Sequence, residues 1–315
     1  AGWCNDPNGF SFFGGKCHLF FQYHPYSTQW GPMHWGHLCT SDFVRWEILE
    51  PALAPDSDFD CEGCFSGTAI EFEDRHILAY TGVSKNKKGE TLQNQCLAEG
   101  DGLCYKKILQ NPVISAANVP FEFQKGDFRD SKLWREDGKF YMACVLKMPD
   151  GKGSLVCFRS ENLLDWKFVS VIDKSSGKSG MWECPDIFKL DGKDVVIFSP
   201  QEMKADFENG LHDGNNSVYM TGFLKRPEFI FEREMRTENS LNFAQIDGGI
   251  DFYAPQTCLA PDGRRIMIAW MQNWESYITP QNYLWSGMMT FPRELEFKNG
   301  KLFQNPVREL LLYRK

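Results

Sequence analysis

The sequence predicts an all-β fold, a five-bladed β-propeller with each blade an antiparallel four-stranded sheet. Three observations carry the prediction. A turn holding a basic residue, followed by a strongly apolar run, recurs five times along the 315 residues. Amphipathic helical periodicity is weak throughout. Aromatics make up 15 % of the chain, with 26 Phe, 10 Trp and 10 Tyr, which suits packed sheets rather than a helical bundle. Hairpin units of this length with no helical pattern are the signature of propeller blades.

In chain order, Gly14-Gly15-Lys16 precedes Cys17 to Phe21, and Glu73-Asp74-Arg75 precedes His76 to Tyr80. Asp137-Gly138-Lys139 precedes Phe140 to Ala143, Asp191-Gly192-Lys193 precedes Asp194 to Phe198, and Asp262-Gly263-Arg264 precedes Arg265 to Trp270. Each unit opens upstream of its turn with a polar or small-residue cluster. These are Asn5-Asp6-Pro7-Asn8-Gly9, Gly63 to Gly67, Arg129-Asp130-Ser131, Glu183-Cys184-Pro185-Asp186, and Asp251 to Gln256. Asp6, Ser66, Asp130 and Glu183 lie nine or ten residues before their turn's basic residue. Equal phase within a blade means equal radial position, so these side chains are expected around the mouth of a central channel. Two outer turns echo each other, Ser41 to Trp46 and Ser160 to Trp166, and their tryptophans are expected to pack between sheets.

Residues 84–107, with Lys85 to Glu90, predict an exposed excursion, and 27–37, 55–64 and 202–217 predict rim loops. Gly177-Lys178-Ser179 lacks the upstream glycine of a phosphate loop and no helix pattern follows, so no nucleotide site is expected. Phe291 to Leu312 forms a last hairpin pattern. The expected division is a propeller over 1–295 and a terminal hairpin or linker remnant over 296–315.

Asp and Glu outnumber Lys and Arg by 42 to 34, and no basic block exists, which gives no electrostatic reason to bind nucleic acid or an anionic membrane. No apolar run approaches the roughly 20 residues that span a bilayer. No signal peptide stands in this numbering, so a cytoplasmic location is expected, or a secreted one if an upstream segment was removed. Eleven cysteines, most inside apolar runs, predict buried free thiols in a reducing compartment. Cys61-Glu62-Gly63-Cys64 has redox spacing but no helix pattern after it. His24, His34 and His37 fall close together, yet no carboxylate or cysteine pattern accompanies them, so neither a metal nor a cofactor is predicted. Oligomeric state is not legible.

Two carboxylates with different environments are what glycosidic cleavage needs, one to protonate the leaving oxygen and one to attack carbon or activate water. Glu183 fits the acid, because Trp182, Cys184 and Pro185 are expected to surround it with apolar matter and favour its protonated form. Asp6 fits the nucleophile, a short side chain in a Pro/Gly turn with Asn5 and Asn8 as donors. Asp130 is placed to accept hydrogen bonds from ring hydroxyls and offset positive charge, and Arg129 to hold hydroxyls. Trp3, Trp30, Phe65 and Trp270 are candidate sugar-stacking aromatics, and Gln22 a hydroxyl ligand. The competing interpretation is that the acids are ordinary turn residues.

These stretches together resemble glycoside hydrolase family 32, the invertase, fructanase and sucrose-6-phosphate hydrolase group. The resemblance rests on Trp3 to Gly9, Phe20-Phe21-Gln22-Tyr23, Trp30-Gly31, Phe65-Ser66-Gly67, Phe128-Arg129-Asp130, Glu183 to Asp186 and Asp251 to Gln256. It implies a five-bladed propeller and a retaining mechanism on β-fructofuranosides, through a covalent fructosyl intermediate and with a carboxyl separation of about 5–5.5 Å. Asp6 falls at the family's nucleophile, Glu183 at its acid/base and Asp130 at its transition-state stabiliser. Gln22, Trp30, Phe65, Ser66 and Arg129 fall at fructose-pocket contacts, and Asn5 supports the nucleophile. The expected partner is a small carbohydrate: sucrose, sucrose 6-phosphate or a short fructoside. A fructan exo-hydrolase or fructosyltransferase on the same trio is the nearest alternative, and a non-catalytic carbohydrate-binding propeller is the alternative of another class. Three departures are expected to matter: Ser131 stands where the family has Pro, loosening the turn at Asp130; Cys4 stands where Met is common; and the family's C-terminal β-sandwich is apparently absent.

Overall fold

The computed structural model describes residues 2–175, 177, 179–207, 210–234, 243–275, 282–298 and 300–314, so Lys178, Asn299 and Lys315 lie outside the described residues. Tight antiparallel hairpins form because the turns demand it. Gly14-Gly15, Glu73-Asp74, Asp137-Gly138 and Asp191-Gly192 all have positive φ at both central residues. That conformation matches the right-handed twist of the flanking strands and closes a two-residue hairpin. The fifth turn is longer, with Leu259 paired to Arg265 across it.

The first sheet runs through β1 (Gly2–Phe13), β2 (Lys16–His24), β3 (His34–Thr40) and β4 (Glu47–Leu53). The second unit comprises β5 (Gly63–Phe72), β6 (Arg75–Lys85), β7 (Thr91–Gly100) and β8 (Tyr105–Lys107). The third comprises β9 (Gln124–Glu136), β10 (Lys139–Lys147), β11 (Gly153–Ser160) and β12 (Lys167–Lys174). These two units share one eight-stranded sheet, because β5 and β9 pair in parallel through Gly67 and Ser131. Glycine at 67 also lets β5 lie close on β6: a Cβ there would stand 1.9 Å from the Ala79 carbonyl oxygen.

A third sheet holds β13 (Trp182–Leu190), β14 (Lys193–Pro200), β15 (Val218–Lys225) and β16 (Ile230–Arg233), with β17 (Ala244–Gln245) also on β15. β18 (Tyr253–Leu259) and β19 (Arg265–Trp270) precede β20 (Trp285–Ser286), which pairs in parallel with β1. β21 (Arg293–Lys298) and β22 (Lys301–Pro306) complete the sheet of β18 and β19. The expected boundary at 295 falls inside β21. The fold is all-β and propeller-like, with short 3-10 turns at Ala116–Asn118 and Arg308–Tyr313.

Apolar clusters fill the spaces between neighbouring units. Phe20 and Trp35 of the first pack on Leu78 and Tyr80 of the second, and Phe10 and Leu19 pack on Cys258, Ile266 and Ile268 near the chain's other end. The second unit meets the third through Ile77 and Phe140, the third meets β13 to β16 through Val145 and Phe198, and those strands meet β19 through Ile197 and Met267. Trp166 is buried as expected, its indole donating to the Leu163 carbonyl at 2.8 Å, and half-buried Trp46 packs against the cluster around Phe10. All eleven cysteines are free, and no described helix is long and apolar enough to cross a membrane.

The expected excursion over 84–107 is corrected by β7, a strand with a buried centre. Its polar sequence hides the fact because its glutamines are buried with partners. The Gln95 amide donates to the Phe128 carbonyl at 2.9 Å, and Gln93 Oε1 accepts the Phe128 N–H at 3.0 Å.

Candidate active site

One backbone device recurs at the inner strand of every unit. β1, β5, β9, β13 and β18 each break register near their N-terminal ends. Asn5 and Asp6 oppose the single residue Gln22, Ser66 is inserted between two paired neighbours, and Asp130-Ser131, Cys184-Pro185 and Ala254-Pro255 each oppose one residue. A bulge leaves an extra residue unpaired and re-aims its side chain. Asp130, Cys184 and Ala254 sit at φ of 61°, 47° and 51°, a conformation that costs non-glycine residues of order 1 kcal/mol or more each and persists because packing enforces it.

The bulges of β1, β5, β9 and β13 converge on a cavity of about 370 Å³. Asp6, Asp130 and Glu183 all line it, together with Asn5, Gln22, Trp30, Phe65, Ser66 and Arg129. Trp270 does not. It is fully buried and edge-packed on Trp3 and Trp274, so it backs the cavity wall, and Trp3 is buried behind the wall with it. The third aromatic on the wall, beside Trp30 and Phe65, is Trp274, which the sequence reasoning missed along with Gln93, Asp127, Gln201 and Asn215. Three of these five, Gln93, Gln201 and Asn215, come from β7 and the loop after β14, where no repeat marks their phase.

Asp6 Oδ2 accepts from the Ser66 hydroxyl at 3.1 Å and the Cys184 thiol at 3.6 Å, while Oδ1 is buried with no hydrogen-bond partner. Burial, then the nearby Glu183 carboxylate, push Asp6 up to about 6 against the pull of Asn5 and Ser66. The Asn5 side chain is itself fixed by the Trp3 indole at 2.8 Å. Asn8 is fully buried beside Ser66 and Gln22 and braces the strand. Asp130 Oδ2 accepts the Cys184 N–H at 2.9 Å and the same thiol at 3.7 Å, so one cysteine touches both carboxylates. Burial raises the Asp130 pKa, opposed by Arg129 and reinforced by Glu183. Ser131 does not leave this turn loose: the Asp130 N–H donates to Thr81 at 2.9 Å, and the Ser131 carbonyl accepts from Thr68 at 2.9 Å.

Glu183 corrects the expectation of an apolar setting. Arg129 donates to its Oε1 through Nε (3.1 Å) and Nη2 (2.8 Å), and Gln201 (2.8 Å) and Tyr253 (2.7 Å) donate to Oε2. Alternation along β13 sends Trp182 the other way, into the cluster with Phe198. The site therefore holds one carboxylate fixed by four donors, and two buried ones that share a thiol.

The histidines gather differently from their spacing. His24 and His34 turn to the Gln29 and Pro32 carbonyls, whereas His37 joins His18 at 2.9 Å, and His76 bridges Ser11 and Tyr105. Among the described residues no group of three or more His, Cys, Asp or Glu is placed to hold a metal. Burial pushes His37 down to about 3 and lowers His18 and His76. Unfolded histidines titrate near about 6.5, so unfolding takes up protons below that pH, and the stability these neutral rings contribute is complete above it and lost as pH falls. Asp6 and Asp130, raised carboxyls, act in the opposite sense, so the informative quantity is a difference. His37→Gln keeps a hydrogen-bonding partner for His18 and removes one titrating ring. Its melting temperature is expected to depend less steeply on pH than wild type between pH 7 and 5; parallel curves would reject the assignment.

Residues 1–306 match the model of the glycosyl hydrolases family 32 N-terminal domain. The chain is 40 % identical over 335 aligned residues to a sucrose-6-phosphate hydrolase of Zymomonas mobilis, covering 100 % of this chain and 61 % of that protein. A mutant of a Bombyx mori beta-fructofuranosidase, solved in complex with sucrose, superposes with a TM-score of 0.89 at 35 % identity, covering 100 % of this chain and 65 % of that one. The sucrose-6-phosphate hydrolase of Lactobacillus gasseri gives 0.87 at 31 %, covering 100 % and 63 %. The chain thus spans under two thirds of the length of these relatives.

Proposed function

The chain belongs to glycosyl hydrolase family 32, and on that premise we propose that it cleaves the fructosyl bond of sucrose or a short β-fructofuranoside with retention of configuration. One observation carries the reading: a single cavity holds Asp6, Asp130 and Glu183, each braced by named neighbours. Asp6 attacks the anomeric carbon through Oδ1, the oxygen left unpartnered. Glu183 gives its proton to the departing oxygen and then takes one from water. Asp130, behind the same thiol, accepts hydrogen bonds from the fructosyl hydroxyls and offsets charge at the oxocarbenium-like centre. Gln22, Asn5 and Arg129 supply polar contacts, and Trp30 and Phe65 wall the sugar from solvent.

The finer architecture belongs to the same proposal. Five four-stranded units around one channel account for a bulge recurring in all five inner strands, four of them at the cavity, and for an apolar cluster between every neighbouring pair. The eight-stranded sheet is then two blades joined where Gly67 meets Ser131.

Product analysis tests the activity. Concentrated sucrose is expected to yield equimolar glucose and fructose, and added methanol to give only the β-fructofuranoside. An α-product would reject retention, oligosaccharide accumulation would move the chain to the transferases, and no turnover would leave a carbohydrate-binding propeller.

A further inference from the structure

We propose that this cavity selects an uncharged disaccharide and rejects its phosphorylated form, with Asp127 as the charge filter. The proposal rests on the fructofuranosidase reading of the same site and narrows its substrate. Similarity alone does not decide the matter, since the chain resembles both relatives named for sucrose 6-phosphate and one solved with sucrose.

The wall's charges do decide it. Among the described residues, four carboxylates line the cavity, Asp6, Asp127, Asp130 and Glu183, against one cation, Arg129. A phosphate dianion is held by guanidinium or ammonium donors aimed at its oxygens. Four of the five N–H donors of Arg129 are already engaged. Its Nε and Nη2 are committed to Glu183 Oε1, and its Nη1 lies 2.7 Å from Asp127 Oδ1 and 3.4 Å from Gln93 Oε1. Turning the guanidinium to a phosphate would break the contact that orients Glu183. The Gln201 amide on the same wall is likewise used on Glu183 Oε2.

Asp127 also stands where an incoming charge is felt first. Its side chain is 30 % exposed, against 5 % for Asp130 and 15 % for Glu183. The remaining wall suits a neutral sugar. Trp274 is stacked on Trp3 at 6.2 Å, which fixes its plane, and Trp30 is half exposed at the rim. Aromatic faces pack on the C–H face of a pyranose or furanose and offer nothing to a phosphate. Like-charge juxtaposition is how a site discriminates by repulsion, and it weakens with salt where the charge is exposed.

The test measures kcat/KM for sucrose and for sucrose 6-phosphate with wild type and Asp127→Asn, at low and high ionic strength. Wild type is expected to favour sucrose by at least about ten-fold at low salt. High salt and Asp127→Asn are each expected to narrow that ratio several-fold, chiefly through a lower KM for the phosphorylated sugar. Equal or better use of sucrose 6-phosphate by wild type overturns the proposal and leaves the fructofuranosidase reading standing. An Asp127→Asn enzyme with an unchanged ratio overturns the role given to Asp127. A wild-type protein that cleaves neither sugar overturns reading and proposal together.

Discussion

Replacing Glu183 with alanine is expected to lower kcat on sucrose by on the order of 10²–10⁴, the usual worth of a positioned general acid. Four donors from three residues converge on this carboxylate, and none of them is placed to deliver a proton to a leaving oxygen in its stead. The loss is expected to depend on the leaving group. Fructosyl fluoride departs without protonation, so Glu183→Ala should recover much of the wild-type rate of fructosyl transfer to the enzyme on that substrate, while sucrose turnover stays low. Glu183→Gln keeps acceptor and donor atoms for the Arg129, Gln201 and Tyr253 cluster and separates loss of the acid from loss of folding. Equal sucrose activity in wild type and both variants would refute the assignment.

The same carboxylate shows where sequence reasoning reaches and where it stops. Its position was legible because a repeat fixes phase: Asp6, Ser66, Asp130 and Glu183 stand at matching distances from their turns, and the fold brings them to one cavity. Its surroundings were not. Trp182, Cys184 and Pro185 are its neighbours along the chain, but alternation and a bulge send the Trp182 ring into the core and replace it with Arg129, Gln201 and Tyr253 from three other strands or loops. Desolvation falls instead on Asp6 and Asp130, whose carboxyls the fold buries. Trp270 and Trp274 make the same point at closer range. Four residues apart, Trp274 takes the place expected of Trp270, because β19 ends at Trp270 with its ring in the core and the chain then turns Trp274 onto the cavity.

β7 escaped for a different reason. Burial of Gln93 and Gln95 is stable only because the Phe128 backbone and the Thr81 hydroxyl satisfy their amides, and those partners come from other strands. Polar residues with distant partners look like surface in one dimension. The all-β class and the hairpin turns depend on local chemistry and were plain. The pairing of β5 with β9 joins strands from two units through Gly67 and Ser131, 64 residues apart in sequence, which only the assembled structure shows.

Asp6→Asn is expected to abolish turnover, with a loss on the order of 10⁵–10⁶ by comparison with removal of the nucleophile in other covalent enzymes. No substitute stands ready. Asp130 shares the Cys184 thiol but is held by the Cys184 N–H through its Oδ2, and Glu183 is fixed by Arg129. An activated leaving group should give no rescue here, in contrast to Glu183→Ala, because the missing event is bond formation at carbon. Wild type supplies a second, independent reading. Attack requires the Asp6 anion, and with its pKa near 6 in the free protein the wild-type kcat/KM should rise with pH through about 6 and level off above it. Ser66→Ala removes the hydroxyl that donates to Oδ2 at 3.1 Å and favours the anion, so it should move that acid limb to higher pH. A limb that stays in place in Ser66→Ala, or sucrose turnover that survives in Asp6→Asn, would assign the nucleophile elsewhere.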